Sequence, residues 1–145
     1  MNPEQYADHF IENDEVLNRV KQVTAEKGMP EIAIAPGYGR LLTLLVKASG
    51  AARVLEIGAL GGYSGICLAR GLAPEGTLTS LELKQEFADV ARANVTEAGF
   101  GGQVEYRVGP ALDSLAQLKA EGQRFDFFFI DADKENYPNY LEYAI

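Results

Sequence analysis

The chain has 145 residues, of which 47% are hydrophobic, and it carries a formal charge of −8. This length suits a single domain with its own core, and the acidity argues against a nucleic-acid partner, because phosphate backbones are bound by clustered Lys and Arg. No apolar run approaches the roughly 20 residues that span a bilayer, and no signal peptide is visible, so we expect no membrane contact. The single cysteine, Cys67, fits a reducing cytoplasm and is expected to be buried.

The first fifty residues predict helices. Apolar residues recur at spacings of three and four over residues 3–27, which is typical of one or two amphipathic helices ending at Gly28. A third helix is predicted after Gly37-Tyr38-Gly39, and it stops near Ser49-Gly50. His9, the only histidine, is expected to be an ordinary surface residue.

Residues 51–145 alternate between strand and helix patterns. Strands are predicted at 54–57, 77–83, 104–108 and 125–130, and helices at 62–72, 85–98, 112–120 and 135–145. Such alternation builds right-handed βαβ units, so we expect a doubly wound α/β domain with a partial parallel sheet in the order 3-2-1-4. Residues 1–145 are therefore interpreted as one domain, with amino-terminal helices over 1–50 and an α/β core over 51–145.

The last predicted strand is apolar on both faces. Phe125 to Ile130 reads F-D-F-F-F-I, which is typical of a strand covered on both sides and flanked by two neighbours. The chain continues only through Lys134 and a helix starting at Glu135, with no capping residue. We expect the chain to be cut at its carboxyl end.

A glycine-rich turn follows the first strand. Gly58, Gly61 and Gly62 lead into a helix that opens with Tyr63 and Ser64, an arrangement that brings backbone N–H groups close to a ligand. A dinucleotide fingerprint would need glycine at positions 60 and 63, where the sequence has leucine and tyrosine. The NAD fingerprint therefore fails, and a tight turn without function is the other interpretation.

Three further segments reach the same edge of the predicted sheet. Glu82 ends the second strand, where a carboxylate can accept both hydroxyls of a ribose. The loop after the third strand, around Pro110 and Ala111, can flank an adenine, although an ordinary turn explains it nearly as well. Asp131-Ala132-Asp133-Lys134 follows the fourth strand and would suit a hard cation plus a proton acceptor. One D-x-D pattern does not complete a Mg²⁺ site, because Mg²⁺ prefers six oxygens.

Four segments together resemble the cation-dependent S-adenosylmethionine O-methyltransferases, which include catechol and caffeoyl-CoA O-methyltransferases. The segments are V-L-E-I-G at 54–58, G-G-Y-S at 61–64, G-P-A-L at 109–112 and F-F-I-D-A-D-K-E-N-Y at 128–137. The resemblance implies a Rossmann-like class I methyltransferase fold, S-adenosylmethionine as donor with S-adenosylhomocysteine as product, Mg²⁺ or a similar divalent cation, a small hydroxylated aromatic acceptor and a homodimer.

The resemblance also implies roles for individual residues. Donor contacts would come from Glu56, Gly58, Gly61, Gly62, Tyr63, Ser64, Glu82, Pro110, Ala111 and Asp131. Among them, Glu56 would lie near the methionine amino group, Tyr63 and Ser64 near the methionine end, and Glu82 at the ribose. Asp131 would ligate the metal and Lys134 would be the catalytic base. The role of Asp133 stays open, as does a donor contact through Ile34 or Ala35 near the 37–39 loop.

Two alternatives are weighed against this function. The first alternative is a fragment that binds the donor without turnover. It follows because the chain does not reach the family's other metal ligands, an Asp-Asn pair after the next strand. A Rossmann-type NAD-dependent oxidoreductase is the other, which the failed fingerprint disfavours.

Overall fold

The computed structural model describes residues 1–11 and 13–145. Helices α1 (Pro3–His9), α2 (Glu15–Glu26) and α3 (Pro36–Ser49) precede the sheet. The periodic stretch 3–27 therefore forms two helices, and Glu12, between them, lies outside the described residues. Asp14 begins α2 by accepting a hydrogen bond from the N–H of Leu17 at 3.0 Å, which satisfies one of the free donors at the helix start.

The core alternates strands and helices as predicted. In chain order its elements are β1 (Arg53–Ile57), α4 (Tyr63–Gly71), β2 (Thr77–Glu82), α5 (Gln85–Glu97), β3 (Val104–Val108), α6 (Ala111–Ala120), β4 (Phe127–Ile130), a short 3-10 helix (Lys134–Asn136) and α7 (Tyr137–Ala144). The strands pair in parallel in the order β3-β2-β1-β4, which confirms the predicted doubly wound α/β fold. None of the described helices combines the length and apolar character needed to cross a membrane.

Side-chain alternation along β1 and β2 divides the core into layers. Leu55, Ile57 and Leu81 pack with residues of α6 and α7. Val54 and Leu78 point to the other face, where they pack with α3 and α4. The helices therefore cover both faces of the sheet, as the period-2 alternation of buried strands requires.

Helix α3 packs against α4 through Gly39. The segment 37–39 forms the first turn of α3, so the prediction that it precedes the helix is wrong. The helix begins earlier, at Pro36, because the proline ring fixes a helical φ at a position where no N–H donor is needed. A Cβ at Gly39 would lie 2.9 Å from Sγ of Cys67. Cys67 is 1% exposed, as predicted, and burial raises the pKa of its thiol to about 12.

Strand β4 lies at an edge of the described sheet. It pairs only with β1, and its residues are half-buried, so the predicted second neighbour is not found among the described residues. The strand begins at Phe127 rather than at Phe125. The reason is Asp126, whose carboxylate accepts hydrogen bonds from the N–H groups of Ala52 and Arg53 at 3.0 and 2.9 Å, which fixes the entry into the strand.

Candidate functional site

A cavity of about 540 Å³ opens at the carboxyl ends of β1, β2 and β4. Strand order reverses between β1 and β4, and open α/β sheets bind ligands at such a point. The cavity wall includes predicted site residues from four separate segments, namely Gly58, Tyr63, Ser64, Glu82, Pro110, Ala111 and Asp131. We call this space the switch-point cavity.

The charge of the switch-point cavity is one-sided. Carboxylates of Glu82, Asp131 and Asp133 border it, whereas none of the described lining residues is Lys or Arg. Negative side chains around a partly enclosed space favour a cationic group and disfavour a phosphate. The wall therefore selects against a pyrophosphate before any individual contact is considered.

A larger cavity of about 670 Å³ lies elsewhere, between α2, α3 and α4. Of the predicted site residues it contains only Tyr63, and none of its described lining residues belongs to a strand. The ion pair of Arg70 with Asp14 forms part of its wall, and this pair holds the pKa of Asp14 below its usual value. Size alone therefore does not identify the functional site.

The glycine turn after β1 alternates between left-handed and ordinary backbone conformations. Gly58 has φ 101°, Leu60 φ 48° and Gly62 φ 92°. Leu60 is the only non-glycine residue of the described chain with positive φ, a conformation that costs about 1–2 kcal/mol for a residue with a Cβ. Because a Cβ at Gly58 would lie 2.2 Å from the backbone oxygen of Asp131, only glycine permits this approach of β1 to the end of β4.

Glu82 fills the inside of this turn. Its Oε2 accepts hydrogen bonds from the N–H groups of Ala59 and Leu60, both at 3.0 Å, and its Oε1 accepts one from the N–H of Lys84 at 3.2 Å. The side chain is 9% exposed and still reaches the cavity wall. The N–H groups that could have held a phosphate are therefore already bonded to a carboxylate of the chain.

Gly61 and Gly62 face away from the switch-point cavity and are absent from its wall. A Cβ at Gly61 would lie 2.2 Å from Oγ1 of Thr24 on α2, and a Cβ at Gly62 would lie 3.0 Å from the backbone oxygen of Ala91 on α5. These two glycines let helices pack against the turn. The contact of these two glycines with the methyl donor, which the resemblance implies, stays a prediction.

Glu56 lies behind the cavity wall and is fully buried. It accepts hydrogen bonds from the hydroxyls of Ser64 and Ser80, the latter at 2.6 Å. Burial raises the pKa of Glu56 from 4.5 to about 7, although the two hydroxyl donors oppose the shift. Glu56 is absent from the described wall of the cavity, whereas Ser64, which donates to it, is part of that wall; the contact of Glu56 with the methionine amino group stays a prediction.

The loop before α6 forms a further part of the cavity wall. Pro110 precedes the first residue of α6, Ala111, and both line the cavity as predicted. The N–H of Gly109 donates to the backbone oxygen of Glu82 at 3.0 Å, which joins this loop to the end of β2. The arrangement leaves small side chains facing the space beside Glu82.

The polar residues that follow β4, Asp131, Asp133 and Lys134, differ in their contacts. The N–H of Asp131 extends the β1 pairing by donating to the oxygen of Ile57 at 3.0 Å, and its exposed side chain lies on the cavity wall. Asp133 accepts hydrogen bonds from Tyr140, at 2.5 Å, and Asn136, which hold its pKa below the usual value. Lys134 is exposed and lies outside the described wall.

These residues do not complete a cation site by themselves. Within residues 1–11 and 13–145 there is no cluster of three or more His, Cys, Asp or Glu side chains arranged to hold a metal ion. The carboxylate of Asp133 is already bonded to Tyr140 and Asn136, which leaves Asp131 as the carboxylate of this segment without such bonds. One carboxylate does not meet the coordination that Mg²⁺ prefers.

Sequence reasoning missed much of the apolar wall. The added lining residues include Ile32, Ala33, Ile57, Leu60, Leu81, Leu83, Phe87 and Tyr140. Ile34 also lines the cavity, whereas Ala35 is the residue before α3 and does not. The apolar run I-A-I at 32–34, which lies outside any predicted helix, was a signal that could have identified this part of the wall.

Comparison with known proteins decides the family. The sequence profile of the family described as O-methyltransferase matches residues 7–145. The chain belongs to the O-methyltransferase family. The chain is 50% identical to a catechol O-methyltransferase of Mycobacterium tuberculosis over 136 residues, an alignment that covers 94% of this chain and 61% of that protein.

Solved structures of O-methyltransferases match the fold as well. The O-methyltransferase from Bacillus cereus in complex with SAH superposes with a TM-score of 0.90 at 47% identity, over 97% of this chain and 65% of that one. TomG from Streptomyces achromogenes, in complex with SAM, gives 0.89 at 37% identity, over 99% and 69%. The chain thus spans about two thirds of the length of these O-methyltransferases, and 61% of the Mycobacterium protein.

Proposed function

We propose that the full protein transfers the methyl group of S-adenosylmethionine to a hydroxyl of a small, catechol-like acceptor, and that this chain supplies the donor site. The observation that carries the proposal is the acidic switch-point cavity, whose glycine turn is already bonded to Glu82. A sulfonium donor is cationic at the reacting centre and has no phosphate. Both properties suit a wall of carboxylates better than they suit a dinucleotide.

The size and wall of the cavity support the same ligand. A volume of about 540 Å³ lies within the range of about 300–1,000 Å³ that small-molecule sites occupy. Glu82 would accept ribose hydroxyls with Oε1, the oxygen that receives only one backbone bond. Pro110 and Ala111 would border the adenine, and Tyr63 and Ser64 would lie at the methionine end.

The transfer itself is an in-line displacement. An oxygen lone pair of the acceptor forms the new O–C bond while the C–S bond breaks, and its electron pair remains on sulfur, which becomes a neutral thioether. Positioning of the two reactants supplies much of the rate for such a reaction. The hydroxyl proton leaves to a base, for which we propose Lys134; this role requires the neutral amine and a reach from the exposed turn to the cavity mouth.

Assistance by a divalent cation would depend on Asp131. A bound cation would lower the pKa of the acceptor hydroxyl and orient its oxygens. The described residues offer one such carboxylate, so the remaining ligands would come from water, the acceptor or the rest of the full-length protein. Donor binding without turnover is the second candidate function, and the same incomplete ligand set favours it for the chain alone.

Binding and turnover separate these possibilities. Calorimetry with S-adenosylhomocysteine is expected to show binding, and NADH is expected to show none; the reverse result would refute the donor assignment. Methyl transfer to a catechol by the full-length protein is then measured with and without a chelator. Asp131→Asn is expected to lower turnover at least tenfold, whereas Asp113→Asn, an exposed residue outside the cavity wall, serves as the matched control.

Three further expectations from the sequence remain part of this proposal. A Lys134→Gln change should lower turnover and alter its pH profile, with the exposed Lys27→Gln as control. Sedimentation velocity tests the expected homodimer. A cytoplasmic location is proposed because the chain has a single, buried cysteine, and it is tested by cell fractionation.

A further inference from the structure

The carboxylate of Glu82 makes its bonds to the glycine turn without any ligand. Three backbone N–H groups, of Ala59, Leu60 and Lys84, donate to its two oxygens at 3.0, 3.0 and 3.2 Å. Two of the three converge on the single atom Oε2. The side chain is 9% exposed, so water competes little for these bonds.

The turn has a conformation that needs such support. Leu60 is held at φ 48°, a region that residues with a Cβ adopt rarely. The N–H groups of Ala59 and Leu60 point into one small space, where their partial positive charges repel each other unless an anion lies between them. The carboxylate of Glu82 is the group that the structure places there.

We propose that Glu82 is a positioning residue for the glycine turn, and that it fixes the donor-binding shape of residues 58–60 before any ligand arrives. This role is separate from contact with ribose hydroxyls. It divides the carboxylate between two tasks: Oε2 holds the turn, and Oε1 faces the ligand with its remaining acceptor capacity. The statement about ligand affinity rests on the proposed function; the statement about the turn does not.

The two roles of Glu82 predict different ligand dependence. If Glu82 acted only on ribose hydroxyls, its replacement would not change affinity for a ligand that lacks them. If Glu82 holds the turn, replacing it also weakens the binding of a ligand without ribose hydroxyls, because Gly58, Ala59 and Leu60 form part of the cavity wall that this ligand contacts. S-adenosylhomocysteine and its 2′,3′-dideoxy analogue are therefore the appropriate pair of probes.

The test compares three variants in the full-length protein. Glu82→Gln keeps the shape of the side chain but removes the charge, and Glu82→Asp keeps the charge but shortens the reach by one methylene. Glu86→Gln is the matched control, since this exposed residue in the first turn of α5 lies close in sequence and outside the cavity wall. Thermal unfolding establishes that each variant is folded.

Amide hydrogen exchange of the ligand-free protein gives the first readout. We expect the amides of Ala59 and Leu60 to exchange at least tenfold faster in both Glu82 variants than in the wild type or in Glu86→Gln. Unchanged exchange in both variants would overturn the proposal. This readout holds whether or not the protein binds S-adenosylhomocysteine.

Calorimetry gives the second readout. Glu82→Gln is expected to weaken binding of the dideoxy analogue at least fivefold and that of S-adenosylhomocysteine more strongly. A loss confined to S-adenosylhomocysteine, with the dideoxy affinity unchanged, would reduce Glu82 to a ribose contact and overturn the inference. Failure of the wild type to bind either ligand would refute the proposed function, while the exchange rates would still decide the role of Glu82.

Discussion

Replacement of Gly58 by alanine tests the closest approach in the switch-point cavity. Two constraints act at this position: φ is 101°, and a Cβ would lie 2.2 Å from the backbone oxygen of Asp131. Gly109 has only the first constraint, since its φ is 130° and a Cβ there meets nothing within 4 Å. Gly102 has neither. The three alanine variants therefore separate backbone strain from steric overlap.

The expected costs follow from these geometries. An unfavourable φ costs about 1–3 kcal/mol, which is the whole effect expected for Gly109→Ala. Overlap with a backbone atom adds about 1–3 kcal/mol, so Gly58→Ala should destabilise the fold by about 2–6 kcal/mol. Gly102→Ala should change the stability by no more than about 0.5 kcal/mol.

Denaturant unfolding of the full-length variants measures these differences, provided that the slope m is unchanged. In a thermal scan, each 1 kcal/mol corresponds to a shift of about 2–4 °C for a domain of roughly 150 residues or more. The reasoning would be refuted if Gly58→Ala were no more destabilising than Gly109→Ala. Such a result would mean that the ends of β1 and β4 separate easily, and that the cavity wall between them is not fixed.

Three further predictions concern buried groups. The folded chain holds a proton on Glu56 up to about pH 7, whereas the unfolded chain loses it near pH 4.5, so the contribution of Glu56 to the free energy of unfolding falls between these two values. The Glu56→Gln variant has no such proton to lose, and its free energy of unfolding should therefore decline by about 3 kcal/mol less than that of the wild type over this range. Parallel curves of unfolding free energy against pH for the two proteins would contradict this prediction. Cys67, 1% exposed with a raised pKa, should resist iodoacetamide at pH 8 until the chain unfolds, as followed by mass spectrometry; rapid labelling of the native protein would show that α3 opens. Asp14→Asn retains the cap on Leu17 but loses the ion pair with Arg70, so denaturant unfolding should show a loss of about 1 kcal/mol; no loss would assign Asp14 to capping alone.

The strand pattern and the chemistry of the loops were predictable because they depend on local sequence. Alternating apolar residues located β1, β2 and β3 closely, and the turn residues placed Gly58, Glu82 and Asp131 at one edge of the sheet. The sheet order agrees with the order that is usual for doubly wound folds. These rules need no knowledge of distant contacts.

The position of Glu56 was not predictable in the same way. Strand alternation places Glu56 on the face of the sheet opposite to Leu55 and Ile57, and helices cover that face too, so a solvent-exposed carboxylate is not expected there. Its partner Ser80 is found only through the pairing register of β1 with β2, and one sequence does not determine that register.

The contact between the glycine turn and Glu82 was also not predictable from local sequence. Nothing in the local sequence signals that Leu60 adopts positive φ or that Glu82 reaches back to it over 22 residues. The packing of Gly61 and Gly62 was not predictable for the same reason, since their contacts are with α2 and α5 rather than with neighbours in the chain.

The carboxylate inside the glycine turn limits how this fold can be re-engineered. Substituting glycine for Leu60 and Tyr63 would complete the spacing of a dinucleotide fingerprint on paper. The resulting loop would still direct the amides of residues 59 and 60 at Glu82, so these two N–H groups would be bonded within the chain rather than available to a pyrophosphate, although an acid at the end of β2 also suits the ribose of a dinucleotide. The ability of this turn to bind a phosphate thus depends on a side chain 22 residues beyond Leu60 as well as on the spacing of the glycines.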